Sequence, residues 1–417
     1  MLRQDEKLRL VVLVTGWLGL AFGIAECRGA DWPNWRGPDY NGISRETGLP
    51  LTWPEGGPKQ LWKAAVGVGV SSMVVSEGCV YTMGNIQDED VVFCLKEETG
   101  ELVWKYAYPS PVDVREYEGG PNATPLVHGE RLYTIGREGD LYCFKKGAGE
   151  VVWHHNLKSE YQIKTAHYGF TGSPQMIGGL LVLNAGTSGM AFQPDSGELA
   201  WKTGQEPTSY TSPVPYKLGD ITYVAIVDES SVAALRVDSG QELWRIPWKT
   251  PLKVSSADPI IVDQKLFVSS GYGKGCALYD ISVGQAKQLW RNRNMRNQYS
   301  TCIIWEGHIY GFDGNIGGSG DSWTAGKYYF RCLDFQTGQL KWSQSTTTLG
   351  TLSMVEGKLI LLTVDGILLI VPASPEKYEE LARCKVLPER CWTVPVLANG
   401  KLLVRNAQGE LICLEVR

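Results

Sequence analysis

Thr99-Gly100-Glu101-Leu102-Val103-Trp104 is the stretch that decides the fold of this 417-residue chain. The same frame returns as Ala148-Gly149-Glu150-Val151-Val152-Trp153, Ser196-Gly197-Glu198-Leu199-Ala200-Trp201, Ser239-Gly240-Gln241-Glu242-Leu243-Trp244 and Thr337-Gly338-Gln339-Leu340-Lys341-Trp342. In each copy glycine precedes tryptophan by four. Glycine supplies the positive φ that a tight hairpin turn needs. An apolar run stands before each turn, such as Val92-Phe93-Cys94-Leu95 or Leu141-Tyr142-Cys143-Phe144. Run, turn and tryptophan strand together read as one β-hairpin.

A second hairpin precedes the first. Pro125-Leu126-Val127-His128-Gly129-Glu130-Arg131-Leu132-Tyr133 and Pro395-Val396-Leu397-Ala398-Asn399-Gly400-Lys401-Leu402-Leu403 show the pattern, with proline opening the strand. Two hairpins make a four-stranded unit. Trp62, Trp104, Trp153, Trp201, Trp244, Trp290, Trp342 and Trp392 recur about every 42–52 residues, a period that signifies a propeller. The fold class expected is all-β, an eight-bladed β-propeller of four-stranded antiparallel blades over residues 58–417. The first inner strands fall near Ser72, Pro125, Pro174, Pro213, Pro259, Ile303, Leu352 and Pro395. The last blade runs out of chain after Leu411-Ile412-Cys413-Leu414, so the strand around Trp62 is expected to complete it and close the ring, which removes the exposed edges. All eight tryptophans are assigned to docking between blades. In the seventh repeat Pro375 to Arg383 replaces the usual turn, and Tyr378, Leu381 and Ala382 sit at the spacing of a short helix.

The front of the chain is of another kind. Arg3, Lys7 and Arg9 precede an apolar run from Leu10 to Ala25, which reads as a signal peptide over residues 1–30. Residues 31–57 read as an extended N-terminal segment. The protein is therefore expected to be exported, periplasmic or extracellular, with no transmembrane span once the signal is removed. A net charge of −5 gives no electrostatic case for nucleic acid. Among ten cysteines, Cys94, Cys143, Cys332 and Cys413 share one place in the third strand, where blades three to five carry Ala191, Ala234 and Ala277. Buried cysteine there behaves as a small apolar residue. Cys384 and Cys391 bracket a short stretch that a disulfide could bridge.

The Thr-Gly-x-x-x-Trp core resembles the tryptophan-docking repeat of quinoprotein (pyrroloquinoline quinone-like, or PQQ-like) eight-bladed propellers, a family that includes quinoprotein alcohol dehydrogenases and the outer-membrane assembly factor BamB. The resemblance runs from Pro58 to Arg417. Asp31-Trp32-Pro33-Asn34-Trp35-Arg36-Gly37-Pro38 with Asn41-Gly42-Ile43 is similar to the start of secreted BamB-like propellers of planctomycetes and related bacteria. Gly119-Gly120-Pro121-Asn122-Ala123-Thr124-Pro125, Gln298-Tyr299-Ser300-Thr301 and Cys391-Trp392-Thr393-Val394-Pro395 carry the same likeness. For fold the likeness is specific. For function it is broad, because one superfold hosts many activities.

Family dehydrogenases hold the quinone over calcium beside an aspartate base, and many add a ring of two adjacent cysteines. No two cysteines are adjacent here, and no position maps to a calcium ligand or catalytic aspartate. Catalytic residues and a metal site are therefore not assigned, and the cofactor expectation is none. Asp313 to Asp321 bears a faint likeness to a calcium loop, with Gly317 where a third ligand is wanted. Gly271-Tyr272-Gly273-Lys274-Gly275 lacks the helix a phosphate loop requires. The five histidines show no metal spacing.

Position singles out what remains. The first strand of each blade lines a central channel, and the loops leading into those strands crowd one face. They carry Arg115, Glu118, Asn122, His167, Tyr168, Tyr210, Lys253, Asp258, Arg296, Asn297 and Tyr299. Loops on a rigid scaffold are where binding concentrates. The first expectation is a monomeric, non-catalytic scaffold that binds a protein or polysaccharide partner on this face. A PQQ- and calcium-dependent alcohol or sugar dehydrogenase, and a polysaccharide-binding accessory module, are the alternatives.

Overall fold

The computed structural model describes residues 30–54, 56–114, 117–314 and 326–416. The signal-peptide reading of residues 1–30 and most of the Asp313 to Asp321 loop thus lie outside the described residues. Eight four-stranded antiparallel sheets form the ring. Blade one spans Val74 to Pro109, two Leu126 to Asn156, three Gln175 to Lys202, four Val214 to Pro247, five Ile260 to Asn292, six Ile303 to Thr346 and seven Gly350 to Lys385. Blade eight takes three strands from Val396 to Glu415, and its outer strand is Gln60–Ala65, paired antiparallel with Glu410–Glu415. The single helix among the described residues, Leu157–Tyr161, has five residues and is capped by the Asn156 side chain.

The repeat now has a physical cause. Each turn glycine lies on the tryptophan of the blade before it. Gly100 faces Trp62, Gly149 faces Trp104, Gly197 faces Trp153, Gly240 faces Trp201 and Gly338 faces Trp290. A Cβ on Gly149 would stand 2.6 Å from Trp104 Cε3, at a φ of +69°. Glycine is thus needed for both contact and conformation. The indole N–H then donates to a carbonyl of the next blade: Trp62 to Glu97, Trp104 to Lys146 and Trp153 to Pro194, each at 2.8 Å, and Trp201 to Val237 at 2.7 Å. Blade five has lost the regular turn, and Trp244 of blade four correspondingly has no partner for its N–H among the described residues. The outer strand of every blade except seven carries a register shift beside its tryptophan, a β-bulge that re-aims the ring. Opposite the rings sit Cys413, Cys94, Cys143, Ala191, Ala234 and Cys332. In blade five the facing residue is Leu278, one place beyond the expected Ala277.

Blade seven departs from expectation three times. Its outer strand is Ala382–Lys385, without tryptophan or bulge, and no helix forms across Pro375 to Arg383. Tyr378 instead lays its ring against Trp342 at 5.8 Å, while the Trp342 N–H donates to Ser374 O at 2.8 Å. Trp392 is therefore not a docking tryptophan; it lies in the segment entering blade eight. Cys384 and Cys391 are both free thiols. Cys384 Sγ faces Gly56 O and Cys391 Sγ faces Pro388 O, so they are held by different neighbours.

The segment before the ring is threaded into the channel. Trp32 bridges to Val75 of blade one, and Pro33 O accepts from Val127 N of blade two. The Tyr40 hydroxyl donates to Met176 O of blade three at 2.9 Å. Ile43 bridges to Met354 of blade seven, and Gly400 N of blade eight donates to Glu46. At its tip, Trp35 Nε1 donates to Asp258 Oδ2 at 2.6 Å, just ahead of blade five. Arg36 donates to the carbonyls of Tyr40, Asn41 and, at 3.0 Å, Cys302, just ahead of blade six. Residues read as merely extended thus stopper the channel with an aromatic–guanidinium tip.

Candidate binding mouth

Above the stopper the blades are tied by a hydrogen-bonded girdle. From blade one to blade six, a backbone N–H two residues before the inner strand donates to the side-chain oxygen of the equivalent residue in the next blade. Ser72 N donates to Thr124 Oγ1 at 3.2 Å, Thr124 N to Ser173 Oγ at 2.9 Å and Ser173 N to Ser212 Oγ at 3.0 Å. Ser212 N donates to Asp258 Oδ1 at 2.7 Å, and Asp258 N to Thr301 Oγ1 at 2.9 Å. The sequence held a signal for this: a small oxygen-bearing residue directly before proline in Thr124-Pro125, Ser173-Pro174, Ser212-Pro213 and Asp258-Pro259. Proline keeps the residue before it extended, which aims its N–H sideways.

Two predicted site residues are taken up by structure, one of them in the girdle. Asp258 is buried, with its oxygens taken by Trp35 and Ser212. Burial pushes its carboxyl up from the usual range, against the opposing pull of Arg36, and pushes the Arg36 guanidinium down. Asn297 is buried as well; its N–H donates to Ser269 Oγ and its amide to Phe312 O at 3.0 Å. Neither is presented to a ligand. Arg115 lies outside the described residues.

The other predicted residues converge with two that sequence reasoning did not single out, Tyr117 and Arg390. An arc of aromatic rings crosses the mouth. Tyr299 meets Trp392 at 5.4 Å between centroids, Trp392 meets Tyr117 at 6.1 Å, Tyr117 meets Tyr168 at 5.8 Å and Tyr168 meets Tyr210 at 5.4 Å. These rings come from five loops, entering blades six, eight, two, three and four. Apart from Tyr117, which is buried, they are partly buried. Asn122 donates to the Tyr117 hydroxyl at 3.1 Å, and the Tyr168 N–H to the Tyr210 hydroxyl at 3.4 Å. His167 stands edge-on to Tyr168 at 4.7 Å. Arg390 stacks over Trp392 at 5.0 Å and pairs with Glu118 at 3.2 Å, while Gln408 donates to the other Glu118 oxygen. Lys253 is exposed at the margin and pairs with Glu229 at 2.8 Å. Arg296, half-buried, is held by Asp313 at 2.6 Å.

The base of the Tyr117 loop contains a titratable group. The Asn85 amide bridges Asp90 Oδ1, at 2.8 Å, and Ser110 O, at 2.7 Å, which fixes where the loop departs from blade one. Asp90 is buried, and desolvation raises its pKa from 3.8 to about 6. The folded state therefore holds the proton more tightly than the unfolded chain. Stability from this group is fully present below about pH 4 and is lost as pH rises through 6. Asp90→Asn is expected to be more stable than wild type at pH 7.5 by up to about 3 kcal/mol, with the difference vanishing near pH 4. Paired urea titrations at the two pH values check this.

The family described as outer membrane protein assembly factor BamB matches residues 112–344, from the loop entering blade two to the outer strand of blade six. The stopper and the closing seam lie outside that span. Among solved structures, the chain is similar to BamB from Moraxella catarrhalis, at 13% identity and a TM-score of 0.60 over 86% of this chain and 99% of that one. It is also similar to a quinohemoprotein alcohol dehydrogenase from Comamonas testosteroni, at 12% identity and a TM-score of 0.66 over 93% and 80%. The computationally designed Ika8 protein gives 12% and 0.62 over 86% and 100%. At such identities the likeness is one of fold. A search of curated proteins by sequence finds no match.

Proposed function

The chain belongs to the family of the outer membrane protein assembly factor BamB, and we propose that it is an exported, monomeric, non-catalytic propeller that engages a partner through its loop-lined mouth. The observation that carries this reading is the arc from Tyr299 to Tyr210. Five loops that share no sequence neighbourhood deliver rings to one surface, beyond the girdle that the chain's own Trp35 reaches from within the channel. No helix among the described residues is long and apolar enough to cross a membrane, which is compatible with an exported protein.

Likeness to a quinohemoprotein dehydrogenase keeps the enzymatic alternative in view. The side chains at the channel do not suit a calcium–quinone pair. Asp258 is satisfied by Trp35 and Ser212, Asp313 by Arg296 and Arg331, and Glu118 by Arg390 and Gln408. A hard cation needs about six to eight oxygens, and no group of three acidic, histidine or cysteine side chains among the described residues could hold one. Purified protein mixed with pyrroloquinoline quinone and calcium, then desalted, is expected to retain no quinone absorbance and to reduce no dye when alcohols are added. A retained chromophore with alcohol-dependent turnover would overturn the non-catalytic reading.

A further inference from the structure

We propose that the ligand of the mouth is a neutral oligosaccharide lying along the aromatic arc, an inference that rests on the reading of the mouth as the binding face. A pyranose ring is apolar on its C–H faces and polar around its rim. It is matched by aromatic faces that offer large, rigid apolar area, with hydrogen-bonding groups at their edges. The mouth has that composition. Tyr299, Trp392, Tyr117, Tyr168 and Tyr210 form a continuous row, each centroid 5.4 to 6.1 Å from the next. Asn122, Gln408 and Gln298 stand beside the row with amide groups.

The loop entering blade six adds a second, independent observation. Three consecutive residues, Gln298, Tyr299 and Ser300, each hold a polar side-chain atom (Oε1, Oη and Oγ) that is buried and has no hydrogen-bond partner among the described residues. Groups of this kind are costly to leave unsatisfied. Tyr299 itself is only partly buried and sits at the end of the arc. The loop that carries Tyr299 thus holds unused hydrogen-bonding capacity at the end of the arc.

Charge and backbone select within the ligand classes. Four ion pairs lie around the mouth: Glu118 with Arg390, Asp113 with Arg137, Arg296 with Asp313, which Arg331 also reaches, and Lys253 with Glu229. A rim whose charges are mostly paired gives little electrostatic drive toward a charged ligand. An extended peptide would bind best by adding a strand to a sheet edge. The inner edges available in the channel are partly taken by the stopper, through Trp32 on Val75 and Ile43 on Met354.

The test is calorimetric titration of the whole protein with neutral hexasaccharides (β-1,4-glucan, α-1,4-glucan, xylan and mannan), an oligouronate, and an unstructured acidic peptide. One or more neutral hexasaccharides are expected to bind, and Trp392→Ala and Tyr168→Ala each to weaken binding about tenfold. Both variants should keep the thermal midpoint of wild type. Val103→Ala, on the exposed outer strand of blade one, should bind as wild type does. If Trp392→Ala proves unstable, Tyr168→Ala alone decides. Tighter binding of the oligouronate or peptide, binding unchanged in the variants, or no binding of any neutral sugar would each overturn the inference. In the last case a protein captured at the same mouth by site-specific cross-linking would show that the ligand class had failed and the face had not.

Discussion

Arg405→Met is expected to destabilise the protein by about 4 kcal/mol or more, the largest single loss in the molecule, because it unfastens the ring where its two ends meet. Arg405 ends the second strand of blade eight and is 0% exposed. Its guanidinium makes five hydrogen bonds across the seam. Nη1 donates to Ser71 O at 2.9 Å, Thr82 Oγ1 at 3.0 Å and Met83 O at 2.7 Å, and Nη2 to Gly67 O at 3.1 Å and Gly69 O at 3.0 Å. No carboxylate is among these partners; four carbonyl dipoles and the Thr82 hydroxyl face the charge. Burial lowers its pKa to about 9, which leaves it charged at neutral pH. Methionine fills much of the volume but strands four buried carbonyls. Arg405→Lys should recover only part of the loss, since a compact ammonium cannot span five acceptors as a planar fork does. Urea unfolding midpoints of the three proteins check the order; a loss below about 1 kcal/mol for methionine would mean the seam is held elsewhere.

Arg36→Ala is expected to cost about 3 kcal/mol or more, because it leaves the carbonyls of Tyr40, Asn41 and Cys302 without their donor and Asp258 without a nearby cation. Arg36 is 4% exposed and holds Cys302 O from within the stopper. Its charge also opposes the desolvation of Asp258. Without it, Asp258 is a buried carboxylate whose raised pKa climbs further. A raised acid contributes stability at low pH that is lost as pH rises through its folded pKa, so the deficit of the variant should grow from pH 5 to pH 8. Asp258→Asn removes that penalty in the Arg36→Ala background while keeping an oxygen for Ser212 N. The double variant should therefore be more stable at pH 8 than additivity of the single changes predicts. Additive losses in urea titrations would show that the stopper's tip and the girdle are energetically separate.

How far the sequence spoke depended on the range of the physics involved. The blade was legible because its determinants are local. A glycine four residues before tryptophan makes a turn, and that glycine packs on the tryptophan of the preceding blade, as Gly149 on Trp104 shows. Trp392 keeps the spacing but lies in a loop, because the outer strand of blade seven, Ala382–Lys385, ends before it. An interval alone cannot tell a ring held between sheets from one placed in a loop. The helix expected across Pro375 to Arg383 failed for a related reason: Tyr378, which suggested a helical face, is instead the packing partner of Trp342. The face of the mouth was legible from strand order, yet its members were not, since Tyr117 and Arg390 earn their place only through contacts with Trp392. Least legible was the stopper. Trp35 and Arg36 find their partners 223 and 266 residues away, and nothing in a linear reading links Trp35 to Asp258 or Arg36 to Cys302.

The central claim is that the partner docks at the mouth. It is tested most directly by placing a photo-cross-linking residue in cells that make the full chain, at His167 on the mouth and, in parallel, at Val103 on the outer strand of blade one. Both positions are exposed. The expected result is a discrete adduct, to protein or to glycan, from position 167 that is lost when Trp392 is replaced by alanine, and none from position 103. An adduct from position 103 alone, or one from 167 indifferent to Trp392, would contradict the account.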